Sequence, residues 1–151
     1  MTARTRAVTI RGTRYDVVLD KPTSIRLGRI RQSRTAPEQA VAQALRRLDL
    51  TYRRRNHGLP GSPDFANRRA AWAAFVHGCY WHRHSGCIKA TTPTRNRDFW
   101  LAKFDDNRRR DRKAVRVLRK LGFSVVVVWE CECADPARLE RRLAKLGERR
   151  K

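Results

Sequence analysis

Acidic residues are scarce in this chain: 14 Asp plus Glu stand against 36 Lys plus Arg, leaving a formal net charge of +22 over 151 residues. That excess goes far beyond what solubility needs and makes a polyanion, nucleic acid above all, the leading partner class. A merely basic surface of the ribosomal kind would have the same composition. Also missing is any apolar run near the roughly 20 residues that cross a bilayer, and the basic first residues lack the apolar stretch of a secretory signal. A cytoplasmic protein with no membrane partner is therefore expected. Cysteine is limited to four residues, interleaved with histidine rather than spread as a framework. In a reducing compartment that pattern points to a metal site and away from disulfides. The length suits one compact unit with a single main core.

Residues Ala7 to Asp20 alternate apolar and polar side chains around Gly12-Thr13, which predicts a β-hairpin within an N-terminal extension spanning residues 1–23. After Pro22 an arginine-rich stretch carries Arg26, Arg29, Arg31 and Arg34, suited to lying along phosphates. Thr35-Ala36-Pro37-Glu38 reads as a helix N-cap with Glu at the third helical position, followed by Val41, Ala44, Leu45 and Leu48 at helical spacing. A Gly/Pro loop from Gly58 to Pro63 leads to two short apolar runs, Asp64 to Ala66 and Ala71 to Val76, predicted as adjacent strands with Asp64 at the start of the first. A long helix is predicted over Arg97–Lys120, with Trp100, Phe104, Asp111, Val115 and Leu118 on one stripe. The run Ser124 to Trp129 reads as a strand covered on both faces, and a last helix as Pro136 to Leu146. This order implies an α/β sandwich with a mixed sheet flanked by helices, the main domain covering residues 24–151.

The densest chemistry lies in Cys79-Tyr80-Trp81-His82-Arg83-His84-Ser85-Gly86-Cys87, joined by Cys131 and Cys133. Thiolates with an imidazole suit tetrahedral zinc, and four protein ligands with no open position make a structural site. The favoured set is Cys79, His84, Cys87 and Cys131, with Cys133 or His82 as alternatives, because strand alternation would put Cys131 and Cys133 on one face. A group of buried free thiols is the plain alternative. A second constellation is acidic: Asp64 at a strand start, beside a strand ending in Phe75-Val76-His77-Gly78, has the layout of a metal-dependent nuclease. Magnesium takes such hard oxygen ligands, though a lone Pro-Asp pair is also a common turn.

The segments Leu59 to Phe65, Phe75 to His84, Arg97 to Trp100, Asn107 with Arg110-Asp111-Arg112, and Val128 to Cys131 resemble the very short patch repair (Vsr) endonucleases, in family order, over about Ser24 to Cys131. The resemblance implies a restriction-endonuclease-like core of the PD-(D/E)xK type, in which the usual Glu-x-Lys is absent and histidines serve instead. It implies a Mg²⁺-dependent nickase of duplex DNA at a T:G mismatch, with the nick 5′ to the thymine, braced by structural Zn²⁺. By position, Asp64 is similar to the side-chain magnesium ligand and the Val76 carbonyl to the main-chain ligand, where the family usually has Thr. His82 resembles the histidine that activates water, Asp111 its supporting carboxylate, His77 the histidine that holds a metal-bound water, and Glu38 the N-terminal acid near the metals. Tyr80, Trp81 and Trp100 resemble the aromatics wedged into the duplex beside the mismatch. Arg26, Arg29 and Arg31 fall in the DNA-contacting arm.

Plainer readings stand beside these. Glu38 can close a capping box, His77 can be a satisfied core histidine, His82 can ligate zinc or lie exposed, and Trp100 shares a core stripe with Phe104. Only Asp111 resists a bland account, since a carboxylate on an apolar stripe must find a partner. Arg53 to Arg55 and Arg108 to Arg110 read as phosphate contacts or as solvated faces. Two residues separate His84 from Cys87 where some family members have one, and the N-terminal hairpin is an addition to the family pattern. Competing functions are a Vsr-like nickase of other specificity, as in phage defence, a non-catalytic zinc-containing DNA-binding module, and a structural RNA-binding protein. A monomer is expected, with mismatch-repair or defence proteins as further partners.

Overall fold

The computed structural model describes residues 4–19 and 34–148. The arginine arm with Arg26, Arg29 and Arg31 lies outside the described residues. Strands β1 (Arg4–Ile10) and β2 (Thr13–Leu19) pair antiparallel in the hairpin that alternation predicts, but the turn falls one residue earlier than expected. The register pairs Ile10 with Thr13, leaving Arg11 and Gly12 as the loop, at φ of 49° and 82°. A two-residue turn that follows the strands' twist needs positive φ at both positions, which glycine adopts freely and arginine at some cost.

Helix α1 (Ala36–Arg47) starts where its cap predicts, with the Thr35 side chain accepting a hydrogen bond from the Glu38 N–H. A four-stranded sheet follows, in the order β3 (Arg53–Arg54), β4 (Phe65–Asn67), β5 (Trp72–His77) and β6 (Ser124–Trp129). The pairs β3–β4 and β4–β5 are antiparallel and β5–β6 is parallel, so the sheet is mixed as expected. Strand β3 had no sequence signal, because two arginines carry no strand propensity of their own. Arg54 there packs its guanidinium over the Phe65 ring at 5.0 Å and belongs to the sheet as much as to any surface.

Parallel pairing of β5 and β6 needs a crossover, and α2 (Arg97–Lys120) supplies it. The α2 residues Ala114 and Leu118 pack with Leu59, Ala66, Ala73 and Phe75 on one sheet face. Val41 and Leu45 of α1, with Leu139 and Leu143 of α3 (Pro136–Ala144), bury Phe65, Trp72, Ala74 and Val128 on the other. Removal of these large side chains from water, at about 1.5–3 kcal/mol each, is what holds the two layers to the sheet. Each face of β6 does meet a helix layer, yet only Val128 of its residues is fully buried, since β6 is an edge strand.

Two further details position the site. Gly61, at φ +72°, lies so close to α2 that a Cβ there would stand 2.4 Å from the Ala114 Cβ, which pins the loop before Asp64 to the helix. At the head of α2, Asn96 does not cap the helix with its side chain but exchanges two hydrogen bonds with Val18 of β2, at 2.9 and 3.0 Å. The hairpin is thus tied to the helix rather than hanging free, and Tyr15 meets Phe99 edge to face. No described helix is long and apolar enough to cross a membrane.

Candidate active site and metal cluster

Asp64 immediately precedes β4, and its Oδ2 accepts a 2.7 Å hydrogen bond from the Val76 N–H of β5. Burial, partly offset by that bond, pushes the Asp64 carboxyl up from 3.8 to about 6, and Glu38 nearby adds to the rise. A carboxylate in this position is short of positive charge. Within a strand a residue's N–H and C=O point to the same side, so the Val76 carbonyl faces the side that carries Asp64. Glu38, while its N–H meets Thr35, also accepts a 2.8 Å bond from the Arg34 N–H, so its acid closes the turn one residue beyond the usual capping box. It lines the same cleft of about 860 Å³ as Asp64, Val76, His77, His82 and Asp111. The capping role and the place beside the site therefore coexist.

His82 and its expected partner Asp111 meet in this cleft, with His77 beside them. His82 Nδ1 lies 2.6 Å from Asp111 Oδ2, and His77 Nε2 lies 3.9 Å from the other carboxylate oxygen. The two imidazoles stack at 3.9 Å with their planes 6° apart. Asp111 thus finds the partner that its place on an apolar stripe demands. His77 is buried at the end of β5, and burial, then the neighbouring His82, hold it down to about 4, so it stays neutral at physiological pH. With Nδ1 engaged by Asp111, Nε2 is the ring nitrogen that His82, which lines the cleft, has left for another partner.

A separate knot gathers Cys79, His84, Cys87 and Cys131, whose ligand atoms all lie within 4.8 Å of one another. The His84 Nδ1 is 3.7 Å from Cys79 Sγ and 3.3 Å from Cys131 Sγ. Bonds of about 2.0–2.3 Å around tetrahedral zinc would set ligand separations near these values, so the donor set and the spacing both fit that ion. The loop passes through left-handed backbone conformations at Arg83 and at Gly86, the latter between His84 and Cys87. Burial pushes the bare Cys79 thiol up to about 12, while the Lys89 backbone N–H draws Cys87 down. The expected alternation of Cys131 and Cys133 fails: the strand stops at Trp129, and Glu130–Ala134 winds as a 3₁₀ helix. Cys133 Sγ points back to the Trp129 carbonyl at 3.6 Å, and burial raises its thiol to about 11, as suits an inert packed residue. His82 also stays out of this knot.

The three aromatic candidates lie together. Tyr80 and Trp81 meet edge to face at 5.0 Å, Trp81 and Trp100 are 6.0 Å apart, and both Tyr80 and Trp100 lean on the buried Phe104. All three are half-buried, so the plain packing account of Trp100 holds in part while each ring keeps some exposed surface. The cluster at Arg108 to Arg110 is not a free phosphate-binding row, because Asp105 and Asp106 pair with it at 3.2 to 3.9 Å. Two residues were not singled out from the sequence. Glu130 accepts from the Cys79 N–H at 3.3 Å and pairs with Lys89 at 3.2 Å, bracing the Cys/His knot beside the cleft. Asn107 donates to the Trp81 carbonyl at 3.2 Å and fixes the aromatic loop on α2. Both stand in the motifs quoted above, but a bracing role has no spacing signature.

The family model described as DNA mismatch endonuclease Vsr matches residues 15–89. The chain is 38% identical over 117 residues to the type II nicking enzyme V.XorIIP of Xanthomonas oryzae pv. oryzae, covering 78% of this chain and 85% of that protein. It is 37% identical over 131 residues to the type II nicking enzyme V.NmeAIP of Neisseria meningitidis serogroup A, covering 87% and 93%. With the DNA mismatch endonuclease Vsr of Escherichia coli it shares 39% identity over 97 residues, 64% of this chain and 62% of that one.

Proposed function

The chain belongs to the Vsr family of DNA mismatch endonucleases, and from that premise we propose that it is a magnesium-dependent enzyme nicking one strand of mismatched duplex DNA at the Asp64 cleft. That it is a DNA endonuclease follows from the family. The observation that carries the mechanism is the convergence of Asp64 with the His82–Asp111 pair on one cleft of about 860 Å³.

Asp64 and the Val76 carbonyl are the residues to hold the cation: a buried carboxylate raised to about 6 has only the weak help of His82 against burial and Glu38, and a hard divalent ion would supply the missing positive charge. When bound, magnesium would polarise the scissile phosphate and offset charge on the leaving 3′ oxygen. Asp111 keeps the His82 proton on Nδ1, so Nε2 takes the proton from the attacking water as its oxygen bonds to phosphorus and the bond to the 3′ oxygen breaks. His77, neutral and stacked on His82, holds that ring in place and orders water at the cleft. Glu38 adds negative charge next to Asp64 and so favours a cation there.

The remaining assignments rest on the same site. Zinc belongs at Cys79, His84, Cys87 and Cys131, where it anchors the loop carrying His82 to the end of β6. Tyr80, Trp81 and Trp100 are the rings to stack on unpaired bases, with Arg26, Arg29 and Arg31 on the backbone. The fold is of the restriction-endonuclease type: an acid before β4, an antiparallel β4–β5 pair, and a helical crossover to parallel β6. Residues 1–23 form an extension and 24–151 the endonuclease domain, acting as a monomer in the bacterial cytoplasm, alongside repair or defence proteins. T:G is the preferred mismatch.

Nicking of a panel of labelled duplexes, one perfect and the others carrying single mismatches, tests this with magnesium present. Cleavage 5′ to the thymine of T:G is expected, lost in Asp64→Ala and His82→Ala. Equal nicking by all three proteins would reject the site, and equal nicking of every duplex would reject the specificity.

A further inference from the structure

On the far side of the His77, His82 and Asp111 cluster from Asp64 opens a second cleft, of about 930 Å³. Its basic lining comes mainly from the second half of α2, Arg112, Arg116, Arg119 and Lys120, joined by the ion-paired Arg108 and by Arg83 and Arg142 from other segments, and Asp111 is its only acid among the described residues. Spacing of three and four residues puts the α2 cations on one stripe. They differ from their neighbours upstream. Asp105 and Asp106 compensate Arg108, Arg109 and Arg110, whereas among the described residues no ion pair or hydrogen bond engages the side chains of Arg112, Arg116, Arg119 or Lys120. Four like charges left uncompensated along one cleft repel each other, a cost that a polyanion would remove.

Helix α2 is ordered along its length: aromatic residues at Phe99, Trp100 and Phe104, the carboxylate at Asp111, then the cations. At about 1.5 Å per residue, Trp100 and Arg119 stand on opposite sides of Asp111, roughly 16 and 12 Å away. We infer that this groove binds backbone phosphates of the DNA duplex flanking the cleaved position, on the side opposite the aromatic cluster. Contacts to phosphate oxygens fix position on the duplex without reading base edges, so the contact is independent of sequence. The inference rests on the proposed cleavage site only for where the scissile phosphate sits.

The test compares two double variants, Arg116→Gln with Arg119→Gln and, as control, Arg109→Gln with Arg110→Gln. Each lowers the formal charge by two, from +22 to +20. Affinity for a T:G duplex is measured by fluorescence anisotropy against salt in the Asp64→Ala background, with melting curves to verify folding. Each phosphate contact contributes about 0.9 to the slope of log affinity against log salt, so the groove variant should lose about 1.8 and the control far less. Hydroxyl-radical footprints should lose protection on one side of the nick only. With Asp64 restored, the groove variant should keep kcat while KM rises severalfold. Equal slope changes in both doubles, symmetric loss of protection, or structured RNA competing as well as duplex would overturn the groove assignment. Normal groove behaviour in a protein that never nicks would sink the hydrolytic reading instead and leave the groove standing.

Discussion

At the scale of single residues, the site stores two opposite dependences on pH. Asp64, raised from 3.8 to about 6, contributes to the stability of the metal-free fold below pH 3.8 and loses that contribution as pH rises through 6. His77, lowered from 6.5 to about 4, contributes above pH 6.5 and loses it as pH falls through 4. Each pKa unit corresponds to about 1.4 kcal/mol, so each effect amounts to a few kcal/mol at most. Asp64→Asn should therefore raise the melting temperature in magnesium-free buffer at pH 8, by several degrees, with the gain shrinking to nothing near pH 4. It should also abolish nicking. Thermal melts from pH 4 to 8 check this, and a variant less stable than wild type at pH 8 would show that Asp64 is not a strained acid. Asp111→Asn keeps the shape of the His82 partner but removes its charge, and should lower kcat about 10²- to 10⁴-fold while leaving DNA affinity intact. Single-turnover nicking read beside anisotropy separates the two effects. The residue types of this site were legible because each carries chemistry; the stacking of His77 on His82 was not, since five positions in sequence say nothing about ring planes.

At the scale of elements, the proposed zinc ligation makes a short loop and a 3₁₀ turn depend on the Cys/His knot for their shape. Cys131→Ser should take bound zinc, measured by metal analysis, from one per chain to none and lower the melting temperature. Cys133→Ser should keep the ion, because that thiol faces the Trp129 carbonyl. Zinc lost in both would return Cys133 to the ligand set. Helix starts and the long crossover were readable from caps and 3.6-residue periodicity, and α1 and α2 lie where those signals put them. The strand end at Trp129 was not, as Glu-Cys-Glu-Cys keeps the alternation of a strand while its backbone turns to bring Cys131 to His84. Strand β3 was equally silent: its pairing with β4 places Arg54 over Phe65, and only the partner makes it a strand.

At the scale of the whole molecule, charge decides how the protein meets its substrate. With +22 on 151 residues, affinity for DNA should fall steeply with salt, by about 10³ or more between 50 and 200 mM if six or more phosphates are engaged. Isothermal titrations at several salt concentrations measure it, and a flat response would mean that binding runs through the aromatic cluster instead. Composition, caps, the Cys/His spacing and the motif order were enough to identify the chemistry and the α/β layering, because those signals are local or depend on residue type alone. Which cysteines gather around His84, which arginines remain uncompensated, and how Asp64 and His82 come to line one cleft depend on contacts between distant segments. The β5–β6 pairing and the α2 crossover create those contacts, and no local pattern encodes them.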